Sequence, residues 1–166
     1  MNYLKFSIGI FLILAVSRFI PHPPNFTSLV ALSFYVPALL GRKFIPSLIF
    51  SFLLTDLIIG FHNTLFFTWG SVFIIGIVSK SFTKNFKYRL TGAVTGVFIF
   101  YIFTNFGVWL TGIYGYTFNG ILKCYILAIP FLGNTFISTL IYSLIIEALI
   151  VLKNILLPKT KNFGHF

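Results

Sequence analysis

Asp56 and Glu147 are the only carboxylates in 166 residues, and each lies inside a long apolar run. An ionisable group kept within a membrane-spanning stretch is costly enough that its presence marks a functional candidate. Around Asp56 stand other groups that hydrogen-bond or stack. Arg18 ends the first apolar run, and His22, Asn25 and Thr27 follow in the connection Pro21-His22-Pro23-Pro24-Asn25-Phe26. His62, Asn63 and Thr64 come just after the run that holds Asp56. Asn105, Trp109 and Tyr114 close a later run, followed by Tyr116, Asn119, Lys123, Cys124, Tyr125 and Asn134. Aromatic faces stack on a planar solute while Asp, Asn and His fix its orientation, so this chemistry is that of binding. In this reading Asp56 and Arg18 set polarity and charge selectivity, His and Asn hydrogen-bond, and Trp109 stacks or forms a lid. No nucleophile–base pair, His-rich cluster or repeated Asp motif occurs, so no catalytic residue, metal ligand or cofactor is assigned and an enzyme is not expected.

The elements that must position these groups follow from composition. With 58% apolar and 8% charged residues and a mean hydropathy of +0.99, a soluble fold would lack the polar surface to cover itself. One transmembrane domain over residues 1–166 is the expectation. Apolar blocks run from Tyr3 to Ile20, Phe26 to Leu40, Phe44 to Phe61, Leu65 to Val78, Leu90 to Leu110 and Leu132 to Leu152, with a weaker one from Phe118 to Phe131. Helices are expected, because in hydrocarbon each segment must pair its own backbone groups and these blocks exceed barrel strands in length. The breaks are the prolines at 21, 23 and 24, a basic turn at Gly41-Arg42-Lys43, a polar turn at Gly60-Phe61-His62-Asn63, and a basic loop from Ser79 to Arg89.

Charge orients the chain. With six crossings and both termini cytoplasmic, Lys5, Arg42, Lys43, Lys80, Lys84, Lys87, Arg89, Lys153, Lys159 and Lys161 face inward, leaving Arg18 and Lys123 outside. That asymmetry is the positive-inside pattern. A seventh crossing at Phe118 to Phe131 would move Lys153, Lys159 and Lys161 outside, so that block reads as a short helix in the last outer loop. The net charge of +10 then reports orientation and contact with anionic lipid, and no nucleic acid is called for. Lys5, an apolar core and Ala15-Val16-Ser17 loosely match a signal peptide, but the prolines follow closely and the block is read as a span.

Plainer roles stand beside the functional ones. Asp56 and Arg18 pair with each other in one such reading, and Trp109 and Tyr114 belong to an interfacial aromatic belt. Glu147 precedes Lys153 by six residues, about 9 Å along a helix, and pairs with a basic residue at the inner interface. The lone Cys124 has no disulfide partner and no zinc motif around it. Gly92 and Gly96, one turn apart, allow close helix contact.

The element Arg18-Phe19-Ile20-Pro21-His22-Pro23-Pro24-Asn25-Phe26-Thr27 resembles the opening signature of an uncharacterised family of small bacterial membrane proteins described as transport proteins. Asp56-Leu57-Ile58-Ile59-Gly60-Phe61-His62, Asn105-Phe106-Gly107-Val108-Trp109, Cys124-Tyr125-Ile126-Leu127-Ala128-Ile129-Pro130-Phe131 and Asn134-Thr135 extend the likeness over nearly the whole chain. That family is in turn similar to the substrate-binding S-components of energy-coupling-factor transporters. The resemblance implies six helices in a bacterial inner membrane and a vitamin- or precursor-like solute bound from outside. It also implies a separate energising membrane subunit with ATPases, since no Gly-rich loop ending in Lys-Ser or Lys-Thr occurs here. The expected solute contacts are Arg18, His22, Asn25, Asp56, His62, Asn105, Trp109, Lys123 and Asn134. An integral-membrane enzyme at the outer lipid interface and an assembly subunit of a larger complex are the alternative classes.

Overall fold

The prolines, glycines and polar turns that interrupt the apolar pattern become the ends of helices. The computed structural model describes residues 2–156, which form α1 (Asn2–Phe19), α2 (Leu29–Leu40), α3 (Ile45–Ile59), α4 (Leu65–Val78), α5 (Phe86–Leu110), α6 (Phe118–Leu127) and α7 (Ile129–Leu156). Short 3-10 turns over Arg42–Phe44 and Ser79–Phe82 lead into α3 and out of α4. Lys159, Lys161 and the rest of the basic tail from Pro158 lie outside the described residues.

Most helix ends fall within four residues of the apolar blocks, with α2 beginning at Leu29 and not Phe26, and two boundaries change the reading of a segment. The stretch from Ser79 to Arg89 is not all loop, because α5 starts at Phe86, where the Asn85 side chain accepts from the Tyr88 backbone N–H at 3.1 Å. That cap satisfies a donor the first turn would otherwise leave open, and it places Arg89 inside the helix. The weaker block from Phe118 to Phe131 is divided at Ala128, and α7 begins with Pro130 in its first turn, where a missing N–H costs nothing.

Among the described residues, three segments are long and apolar enough to cross a bilayer: Leu65–Phe82, Phe86–Leu110 and Ile129–Leu156. At 12 residues, α2 is about 18 Å long, well short of a hydrocarbon core of roughly 30 Å. It is nonetheless the axis of the bundle. Every residue from Leu29 to Ala38 is buried, with Phe34 and Tyr35 packed among Leu14, Leu48, Val72, Ile75 and Val97. The surrounding helices turn Leu12, Phe50, Ile58, Phe98 and Leu144 outward, an apolar exterior suited to lipid.

Helices α1 and α3 run side by side in the same direction. Near their starts the Ser7 and Ser47 hydroxyls meet at 2.9 Å and Tyr3 stacks on Phe44, while at their far ends Arg18 meets Asp56. The two α5 glycines serve the close contact their spacing suggests. A Cβ on Gly92 would overlap the Phe34 ring and Phe82, and one on Gly96 would stand 3.2 Å from Ile75 Cγ2. Both carry α5 against its neighbours α2 and α4.

Candidate functional site

The connections after α1 and α3 and the segment around α6 gather at one end of the bundle, and the site is built from them. The chain leaves α1 through Ser17, whose hydroxyl meets that of Ser28 at 2.7 Å and also accepts from the Ser28 backbone N–H at 3.2 Å. This buried clasp fixes how far the proline-rich connection can bulge. Within it Asn25 adopts φ +62°, a left-handed conformation that asparagine tolerates better than most residues. The turn is closed by Phe26 N–H donating to the Pro23 carbonyl at 3.0 Å. From the start of α7, Asn134 Nδ2 donates to the Pro24 carbonyl at 3.0 Å.

Arg18 and Asp56 form an ion pair of 2.7 Å. Asp56 is completely buried, and its other oxygen accepts from Trp69 Nε1 at 3.1 Å. The Arg18 contact is at ion-pair distance but off the angle of a hydrogen bond, which leaves Asp56 Oδ1 without a well-directed donor. Arg18 is gripped further by α3: it donates to Thr55 Oγ1 and its guanidinium lies 4.3 Å over the Phe52 ring. Phe52, Thr55 and Asp56 share one helix face at spacings of three and four, so a single turn of α3 supplies stacking, hydroxyl and charge to one arginine.

Beside this pair opens a cavity of about 500 Å³, within the usual size range of small-molecule sites. Arg18, His22, Asn25, His62 and Asn105 line it, joined by Thr27, Thr64, Thr68, Tyr101, Thr104 and Tyr114. Four other expected contacts sit elsewhere. Asp56 lies behind Arg18 and does not reach the cavity wall. Trp109 donates from Nε1 to the Gly115 carbonyl at 3.1 Å and packs between Phe106 and Tyr116. Lys123 is exposed on α6, and Asn134 is engaged with Pro24. Trp69, Phe52, Thr68 and Thr104 do not stand out in the sequence. The α3 spacing of 52, 55 and 56 was the available signal for Phe52, while nothing in the sequence distinguishes Trp69 or the threonines.

The cavity wall carries one full cation, Arg18, and no carboxylate among its described residues. Asp56 offsets that cation from behind, and the rest of the lining is largely apolar, Leu29, Val30, Phe100 and Leu132 among it, interrupted by the hydroxyl, amide and imidazole groups named above. Cys124 also lines it, nearly fully buried, and burial pushes its thiol up from the ordinary value. It stays protonated at neutral pH, a poor nucleophile. No group of three or more His, Cys, Asp and Glu placed to hold a metal occurs among the described residues.

An all-helical body with an apolar exterior and, among the described residues, three helices able to cross a bilayer has the architecture of a multi-pass membrane protein. Residues 2–159 match the model of the Family of unknown function (DUF6580), and the chain belongs to that family. No curated protein and no solved structure matches it.

Proposed function

We propose that this protein is the membrane-embedded, substrate-binding component of a transport system for a small solute of vitamin or precursor type. The observation that carries this reading is the cavity of about 500 Å³, to which all of α1 to α7 and the connections between them contribute lining residues. An assembly subunit would present a flat contact surface there. The expected solute is neutral or anionic, because among the described lining residues Arg18 is the one charged group and a cation would find no carboxylate there to replace its lost hydration. Threonine, histidine and asparagine side chains supply both donors and acceptors, and Tyr101, Tyr114 and Phe131 offer aromatic surface.

In this reading the cavity faces outward and the chain crosses a bacterial inner membrane six times, with α6 as the short helix in the last outer connection. The short α2 crosses with the help of its flanks. Irregular backbone at membrane depth is tolerated where it lines a water-filled cavity, and the proline-rich connection does so through His22, Asn25 and Thr27. The resemblance to S-components of energy-coupling-factor transporters supports a separate energising membrane subunit with ATPases.

The test is native mass spectrometry of the protein purified gently from its own membrane, alongside Asn105→Ala. A small molecule that accompanies the wild type and is lost from a well-folded Asn105→Ala protein names the solute class. A wild type that carries no small molecule but holds fixed stoichiometric protein partners defeats the reading in favour of an assembly role.

A further inference from the structure

Below the cavity, the buried face of α7 is unexpectedly polar. Thr135 lines the cavity floor, and Ser138, Thr139, Ser143 and Glu147 follow it down the helix, all at most 5% exposed. From Thr135 to Glu147 is about 18 Å along the axis, so the stripe runs from the cavity toward the opposite end of the bundle. There Glu147 is held by Arg89 of α5 in a two-pronged pair, Nε to Oε1 and Nη2 to Oε2, each 2.6 Å.

The upper and lower parts of this stripe differ. Thr135 and Ser138 donate to backbone carbonyls of their own helix, at 2.8 Å to Phe131 and 3.0 Å to Thr135. That is the ordinary way a membrane helix satisfies its hydroxyls. The hydroxyls of Thr139, Ser143 and Tyr35 have no partner, although the three residues are at most 1% exposed. The Tyr35 hydroxyl comes in from α2 close enough to Ser143 and Glu147 to interact with both, yet short of a well-formed hydrogen bond to either. The Tyr35 and Ser143 hydroxyls beside the carboxylate, with that of Thr139 one turn above Ser143, are a costly arrangement in a dry interior. Buried waters would meet that need, since each takes two to four polar partners. A bound metal cation does not fit, because the Arg89 guanidinium already occupies the carboxylate and would repel it.

We infer that Tyr35, Thr139, Ser143 and the Arg89–Glu147 pair form a hydrated inner gate, closed in this structure, on the path between the cavity and the far side of the membrane. The direction of passage rests on the transport reading; the hydration and the closure do not. The gate parts when the two-pronged pair separates, and the hydroxyls above it carry the water that a polar solute needs in order to move.

Two measurements on the full chain in lipid nanodiscs test this, with both faces open to reagent and no solute needed. The first is radiolytic hydroxyl-radical footprinting of the unaltered protein, read by mass spectrometry. Oxidation of Tyr35 with no oxidation of the adjacent, equally buried Phe34 is expected, and an unmodified Tyr35 overturns the inference. The second places Ser143→Cys in a Cys124→Ala chain and follows its reaction with the anionic reagent 2-sulfonatoethyl methanethiosulfonate. The same is done after Arg89→Gln together with Glu147→Gln, a double change that strands no charge. A closed state that opens a small fraction of the time predicts a rise of about tenfold or more in rate when the lock is removed. Equal rates, or no reaction in either protein, overturn the gate. A dry, unreactive cluster leaves the cavity reading standing, while an empty cavity in the native mass spectrum leaves this result untouched.

Discussion

At the residue scale, the sharpest consequence concerns Asp56. Because it sits behind Arg18 and does not reach the cavity, Asp56→Asn acts first on the fold. Removing one partner of a buried pair costs about 3–5 kcal/mol, so a clear drop in melting temperature is expected. Arg18→Gln combined with Asp56→Asn recovers part of it, because no charge is then stranded; a double variant no more stable than the single would show that the pair is not the source of the loss. Trp69 keeps an acceptor in the asparagine oxygen, which confines the effect to Arg18. Cys124 gives an independent check on burial. Its raised pKa, caused by desolvation, disfavours the thiolate, so maleimide labelling is expected to be slow at pH 7 and to speed up only at a higher pH than for a free thiol. The sequence made Arg18 and Asp56 conspicuous because charges are scarce, and it raised their mutual pairing. It could not place Asp56 behind the cavity wall, since depth behind another side chain leaves no mark in spacing. Glu147 was read as paired to a basic residue, and the partner is Arg89. Its distance of 58 positions along the chain hides that pairing from local pattern.

At the scale of elements, packing decides what can change. Gly92→Ala forces a methyl into the Phe34 ring and Phe82, and overpacking of this kind costs about 1–3 kcal/mol. Gly96→Ala meets only an Ile75 methyl at 3.2 Å and is expected to be milder. Thermal denaturation followed by size-exclusion chromatography orders the two, and a harmless Gly92→Ala would mean that α2 and α5 are not in tight contact there. Most helix ends were legible because prolines, glycines and short polar turns punctuate long apolar runs. The start of α5 was not, since Lys87 and Arg89 read as loop by their charge. Asn85 was the overlooked sign, a capping residue one position before the helix. The separation of α6 from α7 was hidden for the opposite reason: both sides of Ala128 are equally apolar, so hydropathy runs across the break.

At the scale of the whole molecule, the orientation proposed from charge places the connection from Ser79 to Asn85 and both termini on the cytoplasmic side. Reporter fusions read this directly. A fusion in the 79–85 connection is expected to be active only with a cytoplasmic reporter, and one after Tyr114 only with an external reporter; the reverse pattern would invert the cavity. The gathering of polar groups at one end was legible because helices joined by short connections must alternate direction. The hydroxyl stripe of α7 was not, because serine and threonine are ordinary in apolar helices until their partners can be counted. The link from Asn134 to the Pro24 carbonyl joins these two regions. It ties the rim of the cavity to the same helix that carries Thr139, Ser143 and Glu147 toward the far side. Asn134→Ala is expected to speed backbone hydrogen exchange across residues 21–28. That strap makes the proline-rich rim and the Arg89–Glu147 pair two stations on one unbroken helix, so a displacement imposed at either end has a rigid rod to travel along.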